Sequence, residues 1–196
     1  GLEGDVYGLS LDGVGLGTDG RAWGCEALFC RSNGTFERLG HLQNLPLPGG
    51  DAAAREPWRM AVAAALTAEC RRAAIALWPQ RPVAAMLSLA SNPRLTSTTS
   101  SAGRLFDAVS AIAGLCDEQS DEAQAAMLLE VAGGDFADAS YEEDDFVVTQ
   151  ESGLNVLQVT ALLQRLFAMR LEGRTSQAIS MRFHAAFSAG MAKLAA

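Results

Sequence analysis

Chemistry in this sequence is concentrated in two short stretches. Asp12-Gly13-Val14-Gly15-Leu16-Gly17 follows text that predicts a strand, and its glycines let a backbone approach a phosphate with no Cβ in the way. A dinucleotide-binding loop would open a helix, and a P-loop would end in Gly-Lys-Ser or Gly-Lys-Thr. Here Arg21-Ala22-Trp23 resumes alternating strand text, so neither assignment fits. The ligand spacing of an EF-hand is missing too, and a plain hairpin turn is the ordinary alternative. In the second stretch, Thr96 to Ser101 runs into Ala102-Gly103-Arg104-Leu105-Phe106-Asp107. Small hydroxyl residues and a glycine at a helix N-terminus suit an anion, because the first N–H groups are unpaired and the dipole favours negative charge. Simple capping would use the same residues. At about 100° per residue, Leu105, Phe106, Val109 and Ile112 form a buried stripe, and Arg104, Asp107 and Ala111 share the opposite side, facing water or a cleft. The bland alternative there is a solvated Arg104–Asp107 pair at i,i+3 spacing, worth about 0.2–0.5 kcal/mol.

Other chemistries lack their residues. His41, in strand-like text, and His184, on the flank of the last predicted helix, have no ligand partner at i,i+4 or similar spacing. No metal site is expected within this sequence alone. The cysteines at positions 25, 30, 70 and 116 include no C-x-x-C pair and read as reduced thiols. Cys25 and Cys30 are an odd count apart, so on one regular strand they project to opposite faces and cannot converge on zinc. No Gly-x-Ser-x-Gly elbow occurs, and no catalytic residue is identified.

These stretches need elements to position them. A chain of 196 residues fits one domain or one lobe of a larger two-lobed enzyme, and 49% hydrophobic with 19% charged residues is a globular balance. The formal charge of −8, with Lys and Arg scattered, speaks against nucleic acid as a direct partner. Acidic residues gather between Asp135 and Glu151, and the run Glu142-Glu143-Asp144-Asp145 reads as a solvated loop. No apolar run reaches the roughly 18 residues of a membrane span, and Gly1 to Asp5 lack the text of a leader. The expectation is a soluble, cytoplasmic protein without a membrane partner.

The predicted order is strands first, helices after, an α+β or α/β arrangement. Asp5–Leu11, Trp23–Arg31 and Phe36–Leu42 read as antiparallel strands, separated by Asp12-Gly13 through Asp19-Gly20 and by Ser32-Asn33-Gly34. After the loop Leu45 to Gly50 the text is alanine-rich and predicts helices nearly to the end. Pro57 suits a first turn, with helix from Met60 through Trp78 until Pro79 stops it. Further helices are expected over Val83–Leu89, from Leu105 until Gly114, and from a Ser120 cap to Val131. The last are Val156–Leu171 and Thr175–Leu194.

At this point the residues resemble a known family. Leu11-Asp12-Gly13-Val14-Gly15-Leu16-Gly17, Trp23-Gly24-Cys25-Glu26, Leu45-Pro46-Leu47-Pro48-Gly49-Gly50-Asp51 with Arg55-Glu56-Pro57-Trp58-Arg59-Met60, and Thr99-Ser100-Ser101-Ala102-Gly103-Arg104-Leu105-Phe106-Asp107-Ala108-Val109 are similar, in this order, to the carboxy-terminal carbamoyltransferase domain of the HypF family. Glu122 to Ala126 and the Phe183-His184 helix look like that domain too, so the resemblance runs from about Asp5 to the C-terminus. It implies one lobe of an actin-like, ribonuclease H-like fold of the Kae and TsaD type, with ATP or carbamoyl-adenylate, and magnesium, held between lobes. The implied activity is transfer of a carbamoyl group to the C-terminal cysteine of HypE, which leads to the cyanide ligand of nickel–iron hydrogenase. Carried over residue by residue, Asp12, Gly13 and Gly15 resemble the hairpin near the nucleotide phosphates. Gly103 and Asp107 resemble the helix whose carboxylate meets the ribose hydroxyls, a cis-diol being a suitable partner for an ionised Asp, and Glu122 adds to the sugar edge.

The sequence departs from the family pattern at Asp121 and Ala123, where an aromatic and a glycine are usual, and at Val14, where a threonine is common. The family's paired-histidine metal motif and its adenosine loop lie outside 1–196, so residues 1–196 are expected to be a partial domain. Zinc or iron is expected only in the complete domain, and the isolated chain is expected to be inactive. HypE and the remaining HypF domains are the expected partners, with pairing of two copies of the lobe over its bare face as a further expectation. A HypE-docking module built on the proline loop and Trp58, and an O-carbamoyltransferase or tRNA-modifying relative, are the alternatives.

Overall fold

The computed structural model describes residues 4–136 and 139–195. The reading of the first residues as carrying no leader, and the outer limits of the 1–196 domain, therefore fall largely or wholly outside the described residues. Strands β1 (Val6–Leu16), β2 (Ala22–Cys30) and β3 (Phe36–Leu42) form an antiparallel meander. The turn between β2 and β3 is made by Asn33, whose side-chain oxygen accepts the Thr35 N–H at 3.0 Å, and by Gly34 at φ +84°.

The first hairpin differs from expectation. Strand β1 continues beyond Leu11 to Leu16, and the reversal is made by Gly17–Arg21, with the Gly17 N–H bonded to the Arg21 carbonyl at 2.8 Å. Leu11 pairs with Cys25 and Gly15 with Trp23, so Asp12, Gly13 and Val14 are thrown out of register as a bulge.

The region after Gly50 is less purely helical than its alanine text predicts. Short strands β4 (Leu45–Leu47) and β5 (Ser97–Thr99) pair antiparallel, and β5 joins β2 in parallel at Ala22. Val147–Glu151 (β6) and Leu154–Gln158 (β7) form a hairpin turned by Ser152 and Gly153, both at positive φ, and β7 lies parallel to β3. The helix expected over Val156–Leu171 is thus a strand followed by a helix. The outcome is a mixed seven-stranded sheet.

Helices α1 (Asp51–Arg55), α2 (Pro57–Thr67), α3 (Arg71–Leu77) and α4 (Val83–Ala90) precede β5. The helix expected to run through Trp78 is broken at Glu69, φ +58°, where the Cys70 N–H turns back to the Ala65 carbonyl. Then come α5 (Ala102–Ile112), α6 (Gln124–Gly133), α7 (Thr160–Leu171) and α8 (Ser176–Ala195). Gly114 closes α5 at φ +76° as its position suggests. Ser120 does not cap α6; left-handed Ala123 precedes that helix, and the Ser120 N–H bonds the Gln124 side chain at 2.9 Å.

Alanine has a packing role as well as a propensity role. Ala61 through Ala65 are wholly buried on α2, which lies along α5, and small side chains allow that close approach. Helix α8 crosses the sheet almost touching it: a Cβ at Gly40 would stand 2.9 Å from Leu194 Cδ1, and one at Gly190 would stand 3.1 Å from Leu157. The helix layer touches β1 at its bulge, where α5 approaches it, and leaves its apolar side chains bare. Among the described residues β1 pairs only with β2, and Tyr7, Leu9, Leu11, Val14 and Leu16 are all exposed, Leu16 at 89%. Among the described residues no helix is long and apolar enough to cross a membrane.

Candidate functional site

The bulge of β1 and the start of α5 meet backbone to backbone. A Cβ on Gly103 would lie 2.7 Å from Gly13 Cα, and one on Gly24 would lie 2.5 Å from the Asp12 carbonyl oxygen. Only glycine permits that approach. Ser101 holds the junction: its Oγ caps α5 by accepting the Arg104 N–H at 3.1 Å and lies 2.6 Å from the Gly13 carbonyl and 3.0 Å from that of Asp12. Asp12 Oδ1 accepts the Gly13 N–H at 2.6 Å.

Beside this junction opens a cavity of about 710 Å³. Of the residues singled out from sequence, Asp12, Gly13, Gly103, Asp107 and Glu122 line it; Gly15, re-paired with Trp23 beyond the bulge, does not. Gln119 and Phe187 line it without a local motif that marks them as site residues, and Arg55, the first residue of the stretch Arg55 to Met60, lines it too. Gln119 is a loop residue whose side chain reaches the Ala54 carbonyl and accepts the Ala125 N–H at 3.0 Å, joining α1 to α6 behind the cavity. Phe187 packs edge-on against Phe106 at 5.4 Å between ring centres, giving the cavity an aromatic wall.

Asp107 is the unusual group in the lining. Its side chain is only 2% exposed, so the solvated pair that i,i+3 spacing suggests is in fact a buried one. Arg104 Nη2 stands 2.9 Å from Asp107 Oδ2. The contact is close in distance but poorly aligned, and Asp107 Oδ2 has no hydrogen-bond partner among the described residues. Burial pushes the Asp107 carboxyl up from 3.8 to about 6, with Arg104 and the Gln119 amide opposing only in part.

The remaining candidates serve the core. His41 is buried with Nδ1 2.7 Å from the Leu42 carbonyl, and burial lowers its pKa. His184 sits among Phe106, Phe136 and Phe183. All four cysteines are free, and Cys25, 3.4 Å from Met191 sulfur, has its thiol pushed up to about 12 by burial, which makes it a poor nucleophile. Among the described residues no group of three His, Cys, Asp or Glu side chains is placed to hold a metal. The acidic run is not wholly solvated: Asp145 is fully buried between Arg165 and Arg182.

Comparison with known proteins supplies an independent line. The family model described as the second subdomain of the Kae1-like domain of carbamoyltransferase matches residues 8–196. The "Carbamoyltransferase HypF homolog" of Cupriavidus necator is 46% identical over 208 residues, covering 100% of this chain and 51% of its own length. Carbamoyltransferase HypF2 of the same organism is 52% identical over 132 residues, covering 66% of this chain and 16% of its own. A crystal structure of full-length HypF in the phosphate- and nucleotide-bound form matches with a TM-score of 0.85 at 31% identity, over 98% of this chain and 25% of that one. The T. kodakarensis HypF structure matches with a TM-score of 0.77 at 27% identity, over 98% of this chain and 26% of that one. The chain thus spans about half the length of the first of these relatives and about a quarter or less of the others.

Proposed function

Because this chain belongs to the HypF carbamoyltransferase family and carries the second subdomain of its Kae1-like domain, we propose that it supplies the nucleotide-binding wall of a carbamoyl-transfer cleft. The carrying observation is the meeting of two sequence-distant stretches: Asp12 and Gly13 on the β1 bulge and Gly103 and Asp107 on α5 line one cavity. Phosphates would lie against the bulge, where no Cβ intervenes. The ribose diol would donate to Asp107, whose Oδ2 is buried and lacks an aligned donor among the described residues. Glu122, exposed at the rim of the cavity, would add to the sugar edge. The nucleotide-bound HypF structure lends support by analogy.

In the complete enzyme the ligand would be ATP with magnesium or a carbamoyl-adenylate. A thiolate of the C-terminal cysteine of HypE would attack the carbamoyl carbon and AMP would leave. This chain's part would be to bind and orient the adenylate, with the acceptor thiol supplied by HypE and the metal by the remaining HypF domains; its own Cys25 thiol, driven up by burial, is a poor acceptor. The docking alternative is weakened because Trp58 is buried, its indole donating to Glu56 at 3.0 Å.

Titration of the chain with ATP tests the binding role, and Asp107→Ala in the complete enzyme tests its use. Carbamoyl transfer should fall sharply with folding intact; unchanged transfer would remove Asp107 from the mechanism. Metal analysis of the isolated chain should show no stoichiometric zinc or iron.

A further inference from the structure

The lining of the cavity is acidic on balance, with Asp12, Asp107, Asp121 and Glu122 against Arg55 and Arg104. A phosphate entering there meets repulsion unless a cation turns to it. Arg104 is placed to do so. Its Nη2 is 2.9 Å from Asp107 Oδ2, and 4.0 Å from where a Cβ on Gly13 would stand, so the guanidinium spans the gap between the carboxylate and the bulge. Its side chain is 14% exposed, and its Nε, like Asp107 Oδ2, has no hydrogen-bond partner among the described residues. A pair this buried and this poorly aligned gives up little when it is exchanged for better-directed bonds.

Resting on the nucleotide reading of this cavity, we propose that Arg104 selects phosphorylated nucleotides over nucleosides by occupying Asp107 until a phosphate draws it away. The exchange is two-sided. A nucleotide offers anionic oxygens to the guanidinium and a diol to the carboxylate, so both halves of the broken pair gain a partner. A nucleoside offers only the diol; to reach Asp107 it must displace Arg104 and leave that charge buried without a counterion, which is unfavourable. Arg104 acts here as a specificity-determining residue.

The test is direct titration of the chain with ATP and with adenosine, for the unaltered protein, Arg104→Gln, Arg104→Met and Arg104→Lys. Unaltered protein should bind ATP roughly tenfold or more tighter than adenosine, the size expected of a charge-assisted contact. Arg104→Gln should weaken ATP by a similar factor while adenosine binding is unchanged or tighter, so the ratio collapses towards one. Arg104→Lys, which keeps the charge, should retain most of the preference, and Arg104→Met, which removes the charge but keeps the bulk, should collapse the ratio as the glutamine does and covers the case in which that variant folds poorly. Equal weakening of both ligands in Arg104→Gln, or a ratio that neither neutral variant moves, overturns the selector role and leaves the nucleotide reading standing. Where this lobe alone binds too weakly to measure, the same variants are compared in the complete carbamoyltransferase domain, and failure of the unaltered complete domain to bind either ligand overturns the nucleotide reading and this inference with it.

Discussion

Asp107 and Asp145 are both buried aspartates facing arginine, yet their surroundings differ in completeness. Asp145, fully buried, has Arg182 at 3.0 and 2.8 Å from its two oxygens and Arg165 Nε at 3.0 Å, and its Oδ2 accepts the Glu142 N–H at 2.9 Å. Asp107 has one arginine, misaligned, and a cavity in front of it. Burial is common to both; what separates the two is how many donors reach each carboxylate. A carboxylate saturated by the chain holds the fold together, whereas one left short of donors beside a cavity is available to something that is not part of the chain.

The contrast breaks first on stability. Asp145→Ala should cost about 3–5 kcal/mol in chemical denaturation, because two arginines are left facing a buried hole. Asp107→Asn should cost clearly less than that, since relief of the burial penalty on the carboxylate offsets part of what is lost when Arg104 is left without its counterion. Comparable losses in the two would end the distinction. Next in size is ligand affinity: Asp107→Asn should lower ATP affinity roughly 10- to 100-fold, the range for a bond to a charged group, whereas Asp145→Asn should leave the affinity of the folded fraction unaltered.

Gly103→Ala sharpens the comparison by moving the backbone rather than the charge. The new Cβ, 2.7 Å from Gly13 Cα, must force bulge and helix apart, at a cost of about 1–3 kcal/mol, and ATP binding should fall with it in calorimetry. The smallest effect is the response to pH. Since burial lifts the Asp107 carboxyl from 3.8 to about 6, the folded chain holds that proton more tightly than the unfolded chain. The stability it contributes is present below the unfolded value and is lost as pH rises from 3.8 to about 6. ATP affinity should run the other way, rising as the carboxylate forms, and Asp107→Asn should flatten both curves.

Local pattern made the first three strands and most helices legible, because each follows from spacing within one element; the two sides of α5 were less so, since Ala111, on the Asp107 side, is buried, and Phe106, of the apolar stripe, lines the cavity with Asp107. The glycine stretch was legible as a place of close backbone approach but not as a bulge, since its register depends on how Leu11 and Gly15 pair with β2. Strand β7 was read into a helix because Val156 and Leu157 continue the apolar text of α7; what makes them a strand is pairing with His41 and Leu42, far away in sequence. Gln119 was invisible for the same kind of reason: a loop glutamine acquires its role only when Ala54 and Ala125 are brought to it. Asp145 shows the limit of composition, since nothing in an acidic run marks which member two arginines will enclose.

Among the described residues strand β1 is paired along one edge only, and the bulge that carries Asp12 and Gly13 is part of it. Its free rim offers backbone donors and acceptors beside a greasy row from Tyr7 to Leu16, an arrangement that invites lamination by another strand. A strand laid along that rim would brace the bulge as well, because the exposed edge and the proposed phosphate wall are one ribbon of chain.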